Sequence, residues 1–212
     1  VKKDGEFQYV GGDGPSMKDV SEALTKSGLP AKTVEDEFTQ YEIALRAKDV
    51  GVKKLDFTGT KVTEKDVDDV IAKYSGKDSA SLAFQEAHRL YQQYNRNLID
   101  FVVSAGAMTP EKGAELKGMN YVPYYRVRNG IAELVMTEEQ IFRIGDMKNQ
   151  PYLDQLIGGE QKILPIFTGA VQNTKLLVDM AMKNMATRNT AFVLQQMGVA
   201  EIHKGKGPAD PD

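Results

Sequence analysis

The sequence predicts a mainly α-helical, bundle-like domain that carries one short β-hairpin. Three observations predict it. Apolar residues recur at spacings of three and four over most of the chain, capping residues followed by acids stand at the starts of those runs, and one stretch around Asn129-Gly130 shortens the period to two.

The opening residues to Gly14 are rich in glycine and polar side chains and show no sustained period, so 1–14 reads as a flexible arm. Ser16 can cap a helix to about Ser27, where Gly28-Leu29-Pro30 stops it. Thr33 is a second N-cap candidate, with Glu35, Asp36 and Glu37 in the turn where the helix dipole favours acids, and Phe38, Tyr41, Leu45 and Lys48 follow at helical spacing. Residues 52–60 lean towards strand. Thr63-Glu64-Lys65-Asp66 opens a third helix with Val67, Val70, Ile71 and Tyr74 in step, ended by Gly76. Together these pieces predict a small helical N-terminal region over 15–78.

A main helical domain is expected over 79–203. Its clearest element runs from about Ser79 to Ala105, with Leu82, Ala87, Leu90, Tyr91, Tyr94, Leu98, Phe101 and Val102 on one stripe and Gln85, Arg89, Gln92, Gln93, Arg96 and Asp100 on the other, the pattern of a surface-docked helix. Thr109-Pro110 starts a short helix that Gly118 closes. Within 121–136, Tyr125 and Val127 lead into Asn129-Gly130 and then Ile131, Leu134 and Met136, which reads as a hairpin. From Pro165 to about Met197 the chain is helical again, with Phe167, Ala170, Val171, Thr174, Leu177, Val178, Ala181 and Met185 on one face. The tail 204–212 reads as a linker, and it and the initial Val1 suggest a fragment of something larger.

Composition narrows the function. Hydrophobic residues at 41% and charged residues at 27% suit a chain that packs a core. With 27 Lys+Arg against 30 Asp+Glu the net charge is −3, so any contact with nucleic acid has to be local. Without cysteine there is no disulfide framework, thiol nucleophile or thiolate metal site. No apolar run approaches the roughly 20 residues of a membrane span, and Val1-Lys2-Lys3-Asp4-Gly5 is polar where a signal segment would be apolar.

No catalytic centre is legible. The two histidines, His88 and His203, have no HxxxH or HExxH partner, so no metal or cofactor is expected; His88 reads as solvated beside Arg89, and His203 as a helix-end residue. Neither Gly59-Thr60-Lys61 nor Gly76-Lys77-Asp78-Ser79 has phosphate-loop spacing, and Gly11-Gly12-Asp13-Gly14 carries an acid that repels phosphate. No GxSxG elbow is present. The adjacent carboxylates Asp68/Asp69 and Glu138/Glu139 would point about 100° apart on a helix and cannot share one substrate bond.

Two stretches stand out. Tyr121, Tyr124 and Tyr125 interleave with Arg126 and Arg128, a set that can stack bases and hold phosphates on an exposed hairpin. The competing reading, tyrosines covering a helical core and arginines bridging to acidic faces, is favoured because the surrounding chain is not basic. Between Lys183 and Thr190, amide side chains line a helix, and interhelical hydrogen bonds are their first explanation.

The order Tyr91-x-x-Tyr94-Asn95-x-x-Leu98-x-Asp100-Phe101, Gly106, Thr109-Pro110 and Tyr121-Val122-Pro123-Tyr124-Tyr125-Arg126, followed by Ala181, Asn184, Ala186 and Asn189, resembles helical segments of very large phage-encoded polyvalent and virion-ejected proteins. The resemblance covers roughly residues 82–200. It implies a module of a multi-domain protein delivered with the genome, located in the virion or in the host cytoplasm after delivery, and it transfers no catalytic residue. The leading expectation is therefore a non-catalytic structural or interaction module whose partners are proteins or flanking domains, with oligomers allowed. A nucleic-acid-contacting module using the Tyr/Arg set is the alternative. An enzyme with a site of unfamiliar Tyr, Arg, Asp and Asn composition is the third reading.

Overall fold

The computed structural model describes residues 14–50, 63–123 and 165–201, apart from the side chains of Lys32 and Val50, and describes only the backbone of 2–3, 6–7, 125–128 and 131–134. Six helices make up the described body: α1 Met17–Thr25, α2 Ala31–Val50, α3 Glu64–Lys73, α4 Ser79–Ser104, α5 Pro110–Lys117 and α6 Ile166–Gln196.

Their starts follow from local chemistry. Ser16 and Asp19 form a reciprocal capping box on α1, and Thr63 and Asp66 do the same on α3. Asp78 caps α4 through Ser81 N–H, and Thr109 with Pro110 opens α5. Thr33 is not a cap: α2 begins two residues earlier, and Thr33 and Val34 both donate their N–H to Pro30 O at 2.9 and 3.0 Å. Pro30, with no N–H to orphan, serves that end better than a threonine one turn in. At α6 Pro165 offers no side-chain cap, and Thr39 of α2 supplies one instead, its Oγ1 accepting Ile166 N–H at 3.1 Å.

The ends are equally local. After α4 the chain turns through Gly106 at φ 71°, while Ala107 N–H reaches back to Val102 O and Gly106 N–H to Val103 O. That six-to-one and five-to-two pair closes the last turn and needs a residue without Cβ strain. Gly198 ends α6 in the same manner. The third helix stops at Lys73 with Tyr74 as its cap, three residues before the expected Gly76.

Packing is organised along α4. Its first half meets α1, α2 and the start of α6 in a core of Val20, Leu24, Phe38, Tyr41, Tyr74, Phe84, Ala87, Tyr91, Val122 and Ile166. Phe84 stacks on Tyr74 with centroids 3.8 Å apart, and Phe38 meets Phe84 and Tyr91 edge-on. Its second half packs with α5 and the middle of α6 around Ile99, Val102, Met108, Leu116, Leu177 and Ala181. The first core therefore draws residues from both sides of position 78.

Two expectations are corrected. The fourth helix is not docked by one stripe: Gln92 and Asn95 are buried while Leu82 and Phe101 stand exposed, because neighbours pack against it from several directions and rotate the buried sector. The expected fold class, a helical domain with a β-hairpin, also fails in its second half, since the described packed body is built on six helices. Backbone pairing links 125–128 with 131–134, Tyr125 opposite Leu134 and Arg128 opposite Ile131, and among the described residues it joins no further strand. An Asn-Gly pair is a short-range turn signal and carries no information on whether the flanking residues join the packed body. The strand-leaning 52–60 and the arm before Gly14 lie outside the described residues except for the backbone at 2–3 and 6–7. No described helix is long and apolar enough to cross a membrane.

Candidate functional site

The Tyr/Arg set does not assemble into a describable site. Tyr121 is half-buried against the second core; its O accepts Asn95 Nδ2 at 3.0 Å, and its Oη lies 3.5 Å from Asn173 Oδ1, at the outer limit for a hydrogen bond. Tyr124 and the side chains of Tyr125, Arg126 and Arg128 lie outside the described residues, as does His203. In the Lys183–Thr190 run, Asn184 Nδ2 donates to Ala105 O at 2.6 Å, the interhelical bond expected of it.

A polar seam inside the helical body was not legible in the sequence. On α2, Glu42, Arg46 and Asp49 follow one another at helical spacing, and Glu42 is fully buried. From α4, His88 Nδ1 lies 2.8 Å from Glu42 Oε1 and Gln92 Nε2 donates to Glu42 Oε2 at 3.1 Å. His88 is thus paired rather than solvated, held between the edge of the Tyr41 ring and the Glu42 carboxylate. Asp49 Oδ2 accepts Asn120 N–H at 2.6 Å, so the segment that links Asn95 and Asn173 through Tyr121 touches α2 as well.

Electrostatics follow from burial. Loss of water pushes the Glu42 carboxyl above its ordinary range, against the hydrogen bonds and charge of His88 and the Gln92 amide, which favour the carboxylate. For His88, burial acts to lower the imidazole pKa, but the hydrogen bond and charge of Glu42 outweigh it and hold it above the ordinary 6.5; Arg96 opposes and Asp49 assists.

A carboxylate that orients an imidazole is half of an acid–base relay; among the described residues no hydroxyl hydrogen-bonds the other ring nitrogen. Among the same residues no group of three or more His, Asp or Glu side chains is placed to hold a metal ion. Arg46 is the anomaly: it keeps only 5% of its surface exposed, and its Nη1 is buried without a hydrogen-bond partner. An uncompensated buried charge costs several kcal/mol, more than the roughly 1–3 kcal/mol of an orphaned amide. The one sequence signal was Glu42 and Arg46 lying within the apolar run Tyr41-Glu42-Ile43-Ala44-Leu45-Arg46-Ala47.

The second notable surface is the end of α6. Ile166, Ala170, Leu177 and Ala181 pack into the body, but from Met182 onward no residue of the helix is buried. The emergent part spans about 20 Å at 1.5 Å per residue. It exposes Met182, Met185, Phe192, Val193, Leu194 and Met197, with Phe192 58% and Met197 67% exposed. Between Asp179 and Glu201 the only charged residues are Lys183 and Arg188, both basic. No family model, curated protein or solved structure matches this chain.

Proposed function

We propose that the chain is a non-catalytic helical interaction module whose docking surface is the emergent half of α6. The observation that carries this reading is the run of exposed large apolar side chains from Met182 to Met197 on a helix whose first half is buried. Singly exposed apolar residues are ordinary, but contiguous ones on one element mark contact sites, and methionine adapts readily to a partner's shape. The partner is a protein helix with an apolar stripe and acidic flanks: apolar anchors at helical spacing fit such a stripe, and the only charged residues of this stretch, Lys183 and Arg188, are of the opposite sign to such flanks. The virion-associated or genome-delivered setting is part of the proposal and rests on the resemblance across residues 82–200.

The test titrates a labelled amphipathic helical peptide with glutamate flanks against the chain, beside its scrambled version, in fluorescence anisotropy. Sedimentation velocity is run in parallel. Saturable binding of the peptide that is lost in a Phe192→Ser/Met197→Ser variant supports the reading. A monomer that binds neither peptide overturns it, and self-association abolished by the same variant replaces the foreign helix with a second copy.

A further inference from the structure

We infer that the buried Arg46 of α2 seats a small oxyanion, a carboxylate or a phosphoryl group. The guanidinium is nearly enclosed, its Nη1 has no hydrogen-bond partner, and no carboxylate among the described residues forms an ion pair with it. Water can satisfy an orphaned N–H dipole but not the charge behind it, whereas an oxyanion satisfies both with charge-assisted bonds that suit the planar guanidinium fork.

The two α2 carboxylates on either side of Arg46 in sequence are already engaged. Glu42 spends both carboxylate oxygens on His88 and Gln92, and Asp49 accepts from the Asn120 backbone. The near-complete burial of Arg46 restricts the ligand to a small group.

The experiment records thermal unfolding of the chain in chloride at fixed ionic strength while acetate or inorganic phosphate replaces part of the chloride, for the wild type and Arg46→Met. The expected result is a saturating rise of the melting midpoint in at least one oxyanion, with apparent affinity weakened roughly tenfold or more in Arg46→Met. A response to phosphate alone assigns a phosphoryl ligand, a response to acetate alone a carboxylate, and a response to both an oxyanion seat without that selectivity. A wild-type midpoint indifferent to the anion, or the same response in Arg46→Met, overturns the inference. Should that variant fail to fold, nitrogen-15 spectra of the wild-type arginine side chains decide: one guanidinium resonance must move saturably with phosphate or acetate, and none moving overturns it.

Discussion

The two longest helices, α4 with 26 residues and α6 with 31, are built from similar proportions of apolar side chains and end on the same glycine-closed turn, yet they meet opposite fates. The fourth lies among its neighbours, so that even Gln92 and Asn95 are buried, whereas the last buries no residue beyond Ala181 and, past the Asn184–Ala105 hydrogen bond, carries phenylalanine, valine and methionine into solvent. Burial is thus decided by which other helices reach a given turn. Periodicity names a face that can be buried and leaves open whether anything covers it.

That contrast can be broken by mutation. Phe84, fully enclosed by Phe38, Tyr41 and Tyr74, should lose about 3–5 kcal/mol of unfolding free energy in Phe84→Ala, read by urea denaturation. The comparable Phe192→Ala on the emergent end should stay within about 0.5 kcal/mol of wild type. Equal losses at the two sites would mean that the end of α6 is covered in solution.

The seam sharpens the comparison next. Glu42→Ala strands the His88 imidazole and Gln92 amide and should cost about 3–5 kcal/mol, while the double change Glu42→Leu/His88→Leu, which removes both partners, should cost much less in the same assay. A double variant as unstable as the single one would show that the pair itself, rather than the stranding of a partner, carries the stability.

The pH dependence follows with its sign fixed by two raised pKa values. A group whose pKa is higher folded than unfolded gives stability that is complete below the unfolded value and lost as pH climbs through the folded one. Both Glu42 and His88 are of this kind, so between pH 6 and pH 9 unfolding free energy should fall, and His88→Gln should flatten the curve. The capping carboxylates Asp19, Asp66 and Asp78 have lowered pKa values and act in the opposite direction, but they are ionised throughout that window. A wild-type curve that rises from pH 6 to pH 9 would contradict the assignment.

The smallest effect belongs to the caps. Ser16→Ala and Thr63→Ala each remove one half of a capping box and should lower stability by about 1 kcal/mol, measurable as a shift in urea midpoint at unchanged slope.

Much of the helix pattern was legible because its determinants are near neighbours. Ser16 with Asp19, Thr63 with Asp66, and Thr109 before Pro110 act within a few residues, so the sequence reveals them directly. Thr33 misled because it carries the right side chain beside acids while Pro30, just upstream, suits the helix start better. The hairpin misled for a different reason: an Asn-Gly pair reports on a local turn, and short-range turn chemistry does not say whether the flanking residues become part of the fold. Of the expected contact residues only Tyr121 has a described side chain, and it bridges two helices within the body.

By itself, then, the sequence determined the mainly helical class, the caps that begin α1, α3 and α5, and the absence of thiol chemistry, since each depends on residue type and short spacing. Only the tertiary structure decided that Glu42 and Arg46 lie inside, that His88 pairs with a residue 46 positions earlier, and that Thr39 caps a helix starting 127 residues later. It also decided that α6 buries no residue after Ala181. Those outcomes depend on which helices approach one another, and the energy of a charge or an apolar face is set by its surroundings rather than by its identity.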